Sequence, residues 1–173
     1  MKAYLFLDED GFCEGWGSNE EENSVPIVIE DDSVLNGIRK YRYLDGELVY
    51  DETKALIDAK ESRREKAKKA SNKQLEQGFT VTLAGEDYVY MYDDSSKAYL
   101  NKVYELATSG LIDEATFDFK KNGKDVSRSV DKVNITELWL LSFLHEENLK
   151  KQLNEMLSKI DSAKTIKGLS LIQ

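Results

Sequence analysis

Residues 40–69 read KYRYLDGELVYDETKALIDAKESRREKAKK, and the order of the chain is set here. Asp45-Gly46, like Asp10-Gly11 and Asn122-Gly123, suits a type I′ turn, in which both central residues need positive φ. Such a turn pairs Leu44 with Glu47, Tyr43 with Leu48 and Tyr41 with Tyr50. Alternation then puts Tyr41, Tyr43, Leu48 and Tyr50 on one face, and Arg42, Leu44, Glu47 and Val49 on the other. A lone hairpin is marginal in water. It is therefore expected to join a hairpin around Asp10-Gly11 and the strand VPIVIE (25–30) in one antiparallel sheet spanning residues 1–50.

From residue 51 to 77 the sequence favours helix, with Asp51 as N-cap and Gly78 as the residue after the last turn. The apolar content is thin: Ala55, Leu56, Ile57 and Ala59, then Ala67, Ala70 and Leu75. This predicts a connecting helix without the sustained heptads of a coiled coil. The cluster Arg63, Arg64, Lys66, Lys68 and Lys69 is interleaved with Glu61 and Glu65. That pattern fits i,i+4 pairs on a solvated helix better than a phosphate track.

Residues 78–173 predict a second domain. A hairpin over 79–92 turns near Ala84-Gly85-Glu86, a helix starts at an Asp in DDSSKAYLNKVYELATSG, and a hairpin over 115–130 turns at Asn122-Gly123. Asn134 with Glu137 resembles a capping box. Leu149, Leu153, Met156, Leu157 and Ile160 then continue a helical stripe toward Ser162, with a short helix or turn at TIKGL (165–169). The fold class is α+β: an N-terminal β module (1–50), a connecting charged helix (51–77) and a C-terminal α+β domain (78–173).

Composition limits the function classes. The chain has 173 residues, 40% hydrophobic and 10% aromatic, enough for folded cores. Its net charge of −9 disfavours nucleic acid and anionic membranes, both of which take up cationic side chains. No stretch approaches the length of a membrane span, and MKAYLFLDEDG lacks the core of a signal peptide, so a soluble chain made in the cytoplasm is expected. Cys13 is the single cysteine and excludes an intrachain disulfide.

The motifs of catalysis are not in the pattern. DEDGFCEGWGSNEEE is acidic, but an EF-hand register starting at Asp8 puts Phe12 fifth and Cys13 sixth, so Asp10-Gly11 reads as a turn and no metal is expected. His145, the only histidine, sits mid-helix without a second ligand or a nucleophile nearby. No phosphate-cradling glycine loop is present, so no cofactor is expected. The aromatics remain. Tyr and Trp combine an apolar body with a polar tip and anchor interfaces or stack on sugars. Trp16, Tyr41, Tyr43, Tyr50, Tyr88 and Tyr90 are the candidate interaction surface, weighed against the alternative that such residues fill two small cores.

The stretch YLFLDEDGFCEGWGS, an acidic loop and then YRYLDGELVYDETKALIDAKES resembles the start of small tail proteins of phages infecting Gram-positive bacteria. Tyr41, Tyr43, Asp45, Gly46, Leu48, Val49 and Asp51 match a Y-x-Y-x-D-G-x-L-V-x-D hairpin of that group. The second half resembles an unknown-function domain common in phage tail proteins, with Ser162, Ala163, Thr165 and Leu169 in the places of its closing motif. The central region is more acidic and richer in tyrosine than that group. The resemblance implies a non-enzymatic structural or accessory part of a baseplate or tail tip, located in the virion and contacting other tail proteins. Tail-tip symmetry makes a homotrimer a natural form. Alternatives within the same context are a receptor module binding host cell-wall saccharide and a transient tail assembly factor.

Overall fold

The computed structural model describes residues 1–172 and has an α+β fold. Two compact units are present: Met1–Arg63 with Ile160–Gln173, and Arg64–Lys159. The division falls within two helices, and the last residues of the chain belong with the N-terminal unit.

In the N-terminal unit, β1 (Lys2–Leu7) is the centre of a three-stranded antiparallel sheet between β2 (Cys13–Gly17) and β3 (Val25–Val28). Ala3, Leu5, Cys13 and Ile29 form its core with Leu35 and Ile38. The last two come from a 3₁₀ segment, Asp32–Lys40, whose Asp31 carboxylate accepts from the Ser33 amide at 2.9 Å. Strands β4 (Tyr41–Leu44) and β5 (Glu47–Tyr50) pair in the register expected from the Asp45-Gly46 turn, where φ is +50° and +94°.

Two expectations are corrected in this unit. The β4–β5 hairpin is a separate two-stranded sheet and does not extend the first. It meets the first hairpin through a Phe12–Arg42 bridge and a Tyr43 amide donating to the Gly11 carbonyl at 2.9 Å. The Asp10-Gly11 turn is also not type I′, because only Gly11 has positive φ. The Asp8 side chain accepts from the amides of Asp10 and Phe12, and the ladder bulges between Phe6 and Leu7. A side-chain acceptor thus organises a longer, asymmetric loop.

Helix α1 (Glu52–Glu76) starts where Asp51 accepts from the Lys54 amide at 2.7 Å. Within the N-terminal unit, Lys60 donates to the Asp161 carbonyl at 2.8 Å and Arg63 donates to the Ile172 carbonyl.

The Arg64–Lys159 unit is a four-stranded antiparallel sheet in the order β6 (Phe79–Leu83), β7 (Glu86–Tyr90), β8 (Glu114–Lys121), β9 (Lys124–Asp131). Helix α2 (Asp94–Thr108) connects β7 to β8, and α3 (Lys132–Ser162) follows β9. One sheet face presents Val81, Tyr88, Tyr90, Phe117 and Phe119, packed with Leu100 and Val103 of α2 and Ile135 and Leu138 of α3. Helix α3 begins two residues before the expected cap. Asp131, not Asn134, holds its first turn, accepting from the Asn134 amide at 2.9 Å. The chain closes with α4 (Ile166–Ser170), capped by Thr165 and part of the N-terminal unit.

Gly78 ends α1 with φ +76°, and a Cβ there would lie 1.8 Å from the Tyr90 carbonyl oxygen. Gly123, in the β8–β9 turn, has the same φ of +76° but open space around it. The pair separates backbone conformation from close approach. Gly123→Ala is expected to cost about 1 kcal/mol in urea unfolding, whereas Gly78→Ala costs more than about 3 kcal/mol because backbone must also move. Equal losses would show that the approach of Gly78 to β7 is not obligatory.

Candidate protein interface

The six aromatics singled out from the sequence do not form one surface. Trp16 on β2 and Tyr50 on β5 are exposed. Tyr41 and Tyr43 are half-buried against the N-terminal core, with the Tyr41 ring edge-on to Tyr50 at 5.4 Å. Tyr88 and Tyr90 are buried and leave the candidate set. Alternation correctly puts them on one face of β7, but α2 and α3 cover that face. The Tyr90 hydroxyl donates to the Ser96 carbonyl at 2.8 Å, and burial pushes its phenol pKa up. Tyr88 donates to Glu86 at 2.7 Å, beside Lys121 and Arg128. The Lys121 ammonium holds the Glu86 carboxyl below its ordinary range.

In the N-terminal unit an open cleft of about 350 Å³ lies between Tyr50, Glu52, Thr53, Leu56 and Lys164–Ile166. Cys13 is buried, and burial, then the charge of Asp8, pushes its thiol up to about 11. A neutral, enclosed thiol is a poor nucleophile. His145 lies between the rings of Phe79, at 5.5 Å, and Tyr92, at 6.4 Å, and its Nε2 is buried without a hydrogen-bond partner. Beside it Lys97 of α2 binds Glu146 of α3 at 2.7 Å, which lowers the Glu146 pKa and raises that of Lys97. Among the described residues no group of three or more His, Cys, Asp or Glu could hold a metal ion.

The feature the sequence reading passed over is the N-terminal part of α3, KVNITELWLLSFLH (132–145). At about 100° per residue, Ile135, Leu138 and Ser142 share one side while Val133, Leu140 and Leu144 share the opposite one. The first group is buried, with Ser142 satisfied by donating to the Trp139 carbonyl at 2.7 Å. The second is open: Val133 is 77% exposed, Leu140 51%, Phe143 52% and Leu144 48%. Between the two sides Trp139 stacks on Tyr104 of α2 at 4.3 Å and 8°, and donates to Asn101 at 3.0 Å. Phe143 stacks on Trp139 at 6.5 Å and 15°, so the aromatic ladder runs outward to solvent.

A helix that is apolar all round is normally covered all round. Here one side holds the sheet and the other exposes Leu140, Phe143 and Leu144 together, with Val133 two turns away, and exposed apolar side chains grouped in this way mark a protein contact. The signal was present in the sequence as Val133, Leu140 and Leu144 at i, i+7 and i+11, hidden among residues that face the core. Comparison with protein-family models, with curated proteins and with solved structures finds no match to this chain.

Two measurements check this placement. Leu138→Ala should cost about 3 kcal/mol, whereas Leu140→Ser should stay within about 0.5 kcal/mol, because its site is already wet. Similar costs would mean that the outer side is covered within the chain. For Cys13, Ellman's reagent at pH 8 should react at the rate of unfolding, at least about 100-fold slower than with the denatured chain. A fast reaction would place the thiol at the surface.

Proposed function

We propose that this chain is a non-enzymatic structural component of a phage tail, in the baseplate or tail tip, acting through protein–protein contacts. The observation that carries the contact role is the open apolar side of α3, formed by Val133, Leu140, Phe143 and Leu144. Side chains of this kind, once fully covered, contribute about 1.5–3 kcal/mol each. Their exposure is costly in water and has a purpose where a neighbour covers them.

The tail context is supported by the two sequence resemblances, in the 41–51 hairpin and the 162–169 segment. The hairpin residues pair in the register that the Asp45-Gly46 turn sets, and Thr165 caps α4. The non-enzymatic reading is supported by the state of the two most reactive groups. Cys13 is enclosed, and His145 sits between aromatic rings. Exposed Trp16 and Tyr50 offer a second contact in the N-terminal unit.

Mass spectrometry of gradient-purified particles, with this chain counted against the major tail protein, tests the proposal. A few copies per particle are expected, falling at least about tenfold for the Leu140→Glu/Phe143→Glu variant. A chain abundant in the lysate but missing from wild-type particles would overturn the structural role in favour of a transient assembly factor.

A further inference from the structure

We propose that the partner on the outer side of α3 is a second copy of this chain, docked antiparallel about a twofold axis close to Leu140. The inference rests on reading that side as a contact surface and goes on to name the occupant. Charge flanks the patch at both ends. Lys132 lies just before its N-terminal end and Glu147 just after its C-terminal end, at nearly equal distances along the helix from Leu140. A twofold axis that swaps two antiparallel helices keeps each flank of one against the same flank of the other. Lys132 and Glu147 lie on one flank, so each Lys132 meets Glu147 of the other copy.

The same operation sets Leu140 against Leu140, and Phe143 against the Thr136 methyl. On the opposite flank Leu144 meets the aliphatic stem of Glu137. Lys150 lies on the flank of Lys132 and comes beside it, and Glu147 binds Lys150 within its own chain. Parallel docking would keep Lys132 and Glu147 at opposite ends of the contact and set Glu147, near the centre line, against its own copy, so this charge pair favours the antiparallel form. The helix dipoles also oppose one another in that form. Glu147 already accepts from Lys150 at 3.0 Å within the chain, and the contact adds a second cation to that carboxylate.

Size sets the strength. The four open side chains present on the order of 400 Å² of apolar surface per copy, near the upper end of what a monomer leaves uncovered. Doubled, this falls below the roughly 1,200 Å² of standard stable interfaces, so dissociation is expected in the micromolar range. Twofold closure also leaves no unpaired apolar side to propagate a fibre.

Sedimentation equilibrium of the full chain, in a series up to roughly 200 µM, reads the result. The wild type should pass from monomer to dimer. Leu140→Glu should remain monomeric across the series with unchanged circular dichroism and melting temperature. Lys132→Glu and Glu147→Lys should each weaken the dimer about 5-fold or more, and the double variant should recover most of the loss. Neither charge change alters the core, so a folding failure is not confounded with loss of contact. A wild-type chain monomeric throughout would overturn the proposal, as would a dimer indifferent to Leu140→Glu or a charge swap without recovery. If such a monomer still enters particles and is lost from them on Leu140→Glu, the self-contact fails while the tail-contact reading stands.

Discussion

The Arg64–Lys159 unit depends on one packing contact: Ile135 and Leu138 of α3 against the sheet face that carries Tyr88, Tyr90, Phe117 and Phe119. A four-stranded antiparallel sheet with a face this aromatic cannot stay in water, and α2 alone covers only part of it. Bringing α3 down over the rest fixes the helix about its own axis. Once Leu138 points inward, Leu140 and Leu144 must point outward, because the helical period leaves no other choice. The open apolar side is therefore a geometric consequence of the core, given the sequence WLLSFL. Its retention in a chain with 33% charged residues calls for a functional explanation.

The polar details follow the same division. Ser142 faces inward and is satisfied by its own helix, and Trp139, at the border, keeps its N–H on Asn101. Lys97 and Glu146 tie α2 to α3 at the rim of the core. Both are partly exposed, so their pairing is worth under about 1 kcal/mol and sets orientation more than stability. The lowered Glu146 pKa gives the pair its sign. Its contribution is present at neutral pH and is lost as pH falls through the carboxylate range.

What could be read from the sequence was what short-range chemistry determines. Asp45-Gly46 dictated a two-residue turn, so the pairing of Tyr41 with Tyr50 was legible, as was the end of α1 at Gly78. Failures came where two local signals competed or where tertiary cover decided. Asn134 and Glu137 look like a cap, but Asp131 lies where the strand ends and takes that role first. The 3₁₀ segment at 32–40 had only Leu35 and Ile38 at i,i+3 to reveal it. Alternation put Tyr88 and Tyr90 on one face without saying that two helices would bury it. For the same reason an outward-facing Leu140 is indistinguishable in sequence from an inward-facing Leu138. Which side is spare becomes visible only once the sheet is in place.

The central claim is that the outer side of α3 is bare in the isolated chain and covered in the assembled state. Hydroxyl-radical footprinting of Leu140 and Phe143, compared between the dilute chain and purified particles, tests it most directly. The account predicts strong labelling of both residues in the dilute chain and loss of most of that labelling in the particle, with exposed Leu111, which neither contact uses, as reference. Equal labelling in both states would mean that nothing docks on α3, and the contact role assigned to it would be wrong.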